Sequence, residues 1–301
     1  MVGAALTAKE LDHNHIGGFI RVSPTTLDYA KALRRYVNDH KELSSAVMVF
    51  DLNSDSAGDL FTKSLRDDLE QEMQHLIKGR PRLTFVGVSI PTDAGPGSFD
   101  VTVTPGICST KTDVVRYAGR LVDLGGFLDS LANRSCRETP LTVITAADIG
   151  ELLSEREPQL TAARLTVVYA GTSDSEGWGR GVEGTPPHYR NFLSAFKGHG
   201  FNDKNLADGY AIQMHDALLT AATAVLLASP GALPTAAKVR SVLLALTDPH
   251  QVKGAGGTLR FSSRTTGAGN PVGEPVPVLK FPSPLDDPFG QQVVTPIYVT
   301  Q

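Results

Sequence analysis

The chain has 301 residues, enough for one large domain or two of ordinary size. Its 28 basic and 32 acidic side chains leave a net charge of −4, which argues against a nucleic-acid binder with a general basic field, while 41% hydrophobic residues suffice for a core. No apolar run approaches the ~20 residues that span a bilayer. Lys9, Glu10 and Asp12 come too early for a signal peptide, so the expectation is a cytosolic protein or the downstream part of a longer chain.

The first half reads as helix and strand in alternation. Pro24 to Asp39 has helical spacing, with Leu27, Ala30, Leu33 and Val37 on one face, Ser23 as N-cap and Pro24 at the first helical position. Ser45 to Phe50 is a short apolar run of the kind a buried parallel strand makes. Asp59 to Ile77 repeats the helical spacing through Leu60, Leu65, Leu69, Met73 and Leu76, and Leu83 to Val88 is a second strand. Pro91 to Gly106, rich in Pro and Gly, reads as an exposed loop with an extended piece at Phe99 to Val103. Asp113 to Tyr117, Leu141 to Thr145 and Leu165 to Ala170 are three further strands, with a helix at Leu121 to Ala132. Strands separated by helices predict an α/β fold, a parallel sheet with helices on both faces.

Gly171 to Pro187 reads as a crossing or a mobile loop. Helices follow at Pro187 to Lys197, Asn205 to Ala228 and Thr235 to Leu246. The long one carries Asp208, Gln213, His215 and Asp216, which favours a buried helix over a membrane span. The Pro-punctuated tail, with extended pieces at Thr258 to Phe261, Pro275 to Phe281 and Val293 to Val299, suits edge strands.

No Gly-x-Ser-x-Gly elbow and no paired metal-ligand histidines occur, and His13 and His15 read as solvated loop residues. Gly179, Gly181 and Gly184 form a Gly-x-Gly-x-x-Gly. It starts well past the strand ending at Ala170, and Pro186 and Pro187 interrupt the transition to a helix, so a flexible loop is the better account. Asp51, Asn53 and Asp55 have the spacing of a calcium loop, yet Ser56 stands where Gly is needed and Thr62 where a bidentate Glu is needed. They follow the strand ending at Phe50, where open parallel sheets bind ligands. They suit a polar turn with Asp caps equally well. Cys108 and Cys136 each precede a strand, so both fall near the amino-terminal edge of the sheet. A disulfide and a pair of small buried thiols both satisfy that placement.

Four stretches together resemble the type I periplasmic binding proteins of the branched-chain amino-acid type (receptor ligand-binding region). They are Gly18 to Pro24 with Asp28, Val47 to Gly58, Asp113 to Gly119, and Gly256 to Phe261 with Gly267; Asp216-Ala217 is a weaker fifth. The resemblance implies a type I second lobe plus an incomplete first lobe. Residues 1–21 then hold the last strand of the first lobe and the crossover, 22–186 the second lobe, 187–255 a helical remnant of the first lobe, and 256–301 the C-terminal strands and tail. The earlier first-lobe strands of such proteins have no counterpart here.

By the same resemblance, Ala5 and Thr7 hold a ligand carboxylate through backbone and hydroxyl. Asp55 and Ser56 fall in another cleft loop, and Asp148 matches the acid that binds an ammonium group. Arg120 stands where the family usually places an aromatic residue, which favours a ligand with an extra carboxylate or phosphate. Each has a plainer reading: Asp148 as a helix cap, Arg120 paired with Asp123, Thr7 as a turn hydroxyl.

The function implied is a non-enzymatic, cofactor-free module that captures a small polar solute, an amino acid or small anion, between two lobes that close by a hinge. It would serve transport or sensing, outside the cytoplasm, with a membrane permease as partner and no nucleic acid. The helices at 187–197, 205–228 and 235–246 would lack the sheet they normally cover. Exposed apolar surface costs ~25 cal/mol per Å², so a homodimer covering the incomplete lobe, or a repacking, is expected. The alternative is an interaction domain of a larger receptor that has lost ligand binding. An enzyme ranks last, because no acid–base pair or activated nucleophile follows from spacing.

Overall fold

The computed structural model describes residues 2–3, 7–8, 19–40, 43, 46–50, 60–74, 84–85, 99, 103–110, 112–136, 138–146, 149–181, 184–206, 209–246, 250–261, 269–271, 275–281, 292–293 and 297–298. In chain order the elements are β1 (Val2–Gly3), β2 (Ile20–Arg21), α1 (Thr26–Asp39), β3 (Ala46–Phe50), α2 (Leu60–Gln74), β4 (Thr84–Phe85), α3 (Thr104–Ser109), β5 (Val114–Ala118), α4 (Leu121–Ala132), β6 (Leu141–Ala146), α5 (Gly150–Ser154), α6 (Glu157–Ala162) and β7 (Leu165–Ala170). They continue as α7 (Ser175–Arg180), α8 (Tyr189–Gly198), a 3₁₀ turn (Asp203–Leu206), α9 (Tyr210–Ala228), α10 (Ala236–Leu244), β8 (Val252–Lys253), β9 (Thr258–Leu259), β10 (Pro275–Val276), β11 (Val278–Phe281), β12 (Gln292–Val293) and β13 (Ile297–Tyr298).

The chain divides into two compact units. One comprises residues 1–29, 171–277 and 295–301, the other residues 30–170 and 278–294. The sequence-based division instead placed its boundaries at 21/22 and 186/187.

The second unit holds a seven-stranded sheet in the order β12-β11-β7-β6-β5-β3-β4. From β7 to β4 the pairs are parallel; β11 and β12 pair antiparallel at one edge. Strand alternation fixes what each face buries. Val47, Val49, Val115, Tyr117, Leu141, Val143, Leu165, Val167, Tyr169, Leu279 and Phe281 share one face and pack with Leu124, Phe127, Leu128 and Leu131 of α4. The intervening residues, among them Met48, Val114, Arg116, Ile144 and Val168, are also buried. A sheet buried on both faces reads as near-continuous apolar strands, which is why these runs were visible in the sequence.

Local chemistry decides several boundaries. Helix α1 starts two residues later than Ser23–Pro24 suggested, because Thr25 and Asp28 form a reciprocal capping box. Asp28 N–H donates to Thr25 Oγ1 at 3.2 Å, and Thr25 N–H donates to Asp28 Oδ2 at 2.9 Å. The stretch read as a loop at 91–106 ends in α3, and Phe99, Val103 and Ile107 join the core, so this part is not simply exposed. Its proline sits in the first turn of the helix, where a missing N–H costs nothing. The Gly-x-Gly-x-x-Gly segment opens on α7, whose N-cap Asp174 accepts from Gly177 N–H at 3.0 Å, and Trp178 is buried. A flexible loop was therefore the wrong description of 175–180; the Asp cap and the tryptophan anchor outweigh the glycines.

In the first unit β1 and β2 pair in parallel, and β8 and β9 antiparallel. Ile20, Val22, Ala217, Ala224, Leu243, Leu246, Val252, Leu259 and Phe261 form one core; Trp178, Tyr189, Leu206, Ile212 and Ala255 form another. The single helix expected at 205–228 is a 3₁₀ turn and α9, separated by Gly209 at φ 70°, a left-handed conformation that side-chain-bearing residues avoid. Helix α9 buries Ile212, Gln213, Asp216, Ala217, Thr220 and Ala224, while Tyr210, Met214, Leu218 and Leu226 stay exposed. By length and composition it would suffice to cross a membrane, with 33% of its most apolar window buried.

Candidate ligand-binding site

Strands β3, β5 and β6 are parallel neighbours, so the chain leaves all three at the same edge of the sheet. Thr145 Oγ1 donates to the Tyr117 carbonyl at 3.0 Å and ties the carboxyl ends of β6 and β5 together. Loops at this edge are where open α/β sheets hold ligands. By chain position, Asp55 and Ser56 follow β3, Arg120 follows β5 and Asp148 follows β6. Asp55, Ser56 and Asp148 themselves lie outside the described residues, as does Ala5.

Arg120 occupies the N-cap of α4 with extended backbone, φ −66° and ψ 144°. Its Nε donates to Asp123 Oδ2 at 2.7 Å, and the Tyr117 hydroxyl donates to its carbonyl at 3.0 Å. The side chain is 28% exposed. The pairing with Asp123 is thus present, and Asp123 also lies in the first turn of α4, where a carboxylate meets the positive end of the helix dipole. Thr7 gives its carbonyl to Thr26 N–H at 2.9 Å, so that backbone acceptor is committed to the start of α1.

Cys108 and Cys136 form a disulfide with a Cα–Cα separation of 5.6 Å. It ties α3 to the turn after α4. Among the described residues no cluster of three or more His, Cys, Asp or Glu is arranged to hold a metal.

Two charged residues carry more weight than the sequence suggested. Asp216 is buried in α9 and accepts Ala255 N–H at 2.7 Å and Gly256 N–H at 2.8 Å, while His215 Nδ1 lies 2.7 Å from the same carboxylate. An acid inside an alanine-rich helix, together with a Gly-Ala-Gly-Gly run at 254–257, was the available signal for this clamp. Arg116 lies on β5 in the middle of the sheet, fully buried, and its Nε has no hydrogen-bond partner among the described residues. Burial lowers its pKa well below the ordinary guanidinium range, to about 9. Burial, then Asp203 and Asp174, raise that of the Tyr189 hydroxyl, which donates to the Ser175 carbonyl at 2.9 Å.

No family model matches the sequence, and neither does any curated protein. Solved structures do match. A leucine-binding protein from Thermotoga maritima superposes with a TM-score of 0.69 at 14% identity, covering 99% of this chain and 73% of that one. A leucine-, isoleucine-, valine-, threonine- and alanine-binding protein from Brucella ovis, in its closed conformation, gives 0.68 at 12% identity, over 98% of this chain and 68% of that one. The chain has the type I periplasmic-binding-protein fold. A third structure of similar fold, an ABC-transporter solute-binding protein from Rhodopseudomonas palustris in complex with 3,4-dihydroxybenzoic acid, gives 0.65 at 12% identity, over 99% of this chain and 70% of that one.

Proposed function

We propose that the chain is a non-enzymatic solute-binding module that captures a small polar, amino-acid-like ligand for transport or sensing. The observation that carries this reading is the fold shared with proteins named for binding leucine and related amino acids. The adjacent carboxyl ends of β3, β5 and β6 support it, because the ligand residues proposed in the second unit, Asp55, Ser56, Arg120 and Asp148, follow them in the chain. Ala5 and Thr7 are the proposed contacts in the first unit. The disulfide supports an oxidising, extracytoplasmic setting, where a membrane permease would be the partner.

Thermal-shift screening against the twenty amino acids and small anions tests it. A ligand at a hundred times its Kd stabilises by about 2.7 kcal/mol. A flat screen over both sets would overturn the reading. A second reading, an interaction domain without a ligand, is favoured by the exposed apolar face of α9. On that reading a second copy buries Met214 and Leu218, and light scattering gives twice the monomer mass of 32.0 kDa.

A further inference from the structure

The first unit contains a solvent-open groove of about 470 Å³ whose walls come from α8, α9 and β8. That volume is in the range of small-molecule sites, ~300–1,000 Å³. One wall is aromatic: Phe192 and Phe196 have ring centroids 5.5 Å apart, Phe196 and Phe201 stack at 4.8 Å, and Phe192 meets the His215 ring at 4.9 Å. Phe201 is 53% exposed, so a planar apolar body laid on this wall removes phenyl surface from water.

The polar part of the lining is His188, Asn191, His199, His215 and Lys253; it holds one lysine and no acid. Lys253 is exposed and forms no ion pair among the described residues. Asp216 is the carboxylate beside His215, and it is already occupied by two backbone N–H groups and His215 Nδ1. That bond fixes the imidazole with Nδ1–H donating to Asp216, and Nε2 of the neutral ring is then an acceptor, so the anion's partner in this groove is Lys253. A rigid aromatic wall beside a lysine, with no acid in the lining, is complementary to an anionic group on a flat ring.

We propose that this groove binds an aromatic carboxylate, its ring on Phe192, Phe196 and Phe201 and its carboxylate at Lys253. The lining residues all belong to the first unit and none is among the proposed solute contacts, so the proposal does not rest on those contacts.

The test is a ¹H–¹⁵N NMR titration of the full chain with phenylacetate, with benzylamine as the charge-reversed control. Phenylacetate is expected to shift amides of residues 188–201, 215 and 253. Affinity is expected to fall at least tenfold in Lys253→Gln and also to fall in Phe201→Ala; both positions are exposed, so neither change threatens the fold. Benzylamine is expected to leave the same amides unmoved. The proposal is overturned by no response at millimolar phenylacetate, by equal affinity in Lys253→Gln, by equal binding of benzylamine, or by shifts confined to the loops after β3, β5 and β6. The last outcome would instead assign phenylacetate to the proposed solute site.

Discussion

Replacing Arg116 by methionine should stabilise the protein. A guanidinium whose pKa burial pulls well below its ordinary range, to about 9, is disfavoured as a cation by several kcal/mol. Desolvation is the cause, and Nε recovers no hydrogen bond. Methionine keeps much of the volume, adapts its shape and carries no charge. Substitutions of buried ionic groups by apolar ones gain ~1–4 kcal/mol, which for a chain of this size raises Tm by roughly 3–10 °C. The pH dependence has a definite sign. From about pH 9 upward, until the ordinary guanidinium pKa is reached, the unfolded state holds more protons than the folded one, so wild-type stability rises with pH there. The advantage of the variant should therefore be full at pH 7 and smaller by about 1 kcal/mol at pH 10. Urea unfolding of both proteins at the two pH values measures it. A variant less stable than wild type at pH 7, or a gap that widens at pH 10, refutes the reasoning and means that the guanidinium is satisfied.

Removing the disulfide with Cys108→Ser and Cys136→Ser together should cost ~3–4 kcal/mol, as expected for closing a loop of sequence separation 28; unfolding with and without reductant should give the wild type the same loss. Gly254→Ala should destabilise by ~1–3 kcal/mol, because an added Cβ would run into the Asp216 carboxylate that clamps the 254–256 backbone; the thermal midpoint reads this directly. Arg120→Ala should cost under ~1 kcal/mol of stability, since its ion pair with Asp123 is partly exposed, yet weaken any ligand found in the screen by tenfold or more; equal affinity would remove Arg120 from the site.

The parallel strands at 46–50, 114–118, 141–146 and 165–170 were legible because they are buried on both faces, so burial alone dictated their composition. What was not legible depended on single interactions. Ser23 and Thr25 are both competent caps, and only the bond back from Asp28 selects Thr25. Helical spacing is continuous through 205–228, and the break rests on one backbone angle at Gly209. Turn-rich composition at 91–106 concealed Phe99 and Val103, whose burial comes from the distant Phe127. The site was legible only as loops following strands. Spacing cannot orient loop side chains, although the pairing of Arg120 with Asp123, three residues on in the first turn of α4, was legible and is present.

The second unit cannot be sealed by a contiguous stretch of chain. Strand β7 ends at Ala170, yet its outer neighbour β11 begins at Val278, after the whole excursion through 171–277. During synthesis, the amide and carbonyl edge of Leu165–Ala170 therefore waits for more than a hundred residues before Val278–Phe281 covers it. An uncovered strand edge is a template for pairing with another chain. Translation that stalls or is clipped within that interval leaves this edge open, so β11 acts as the latch that renders the nascent protein harmless to its neighbours.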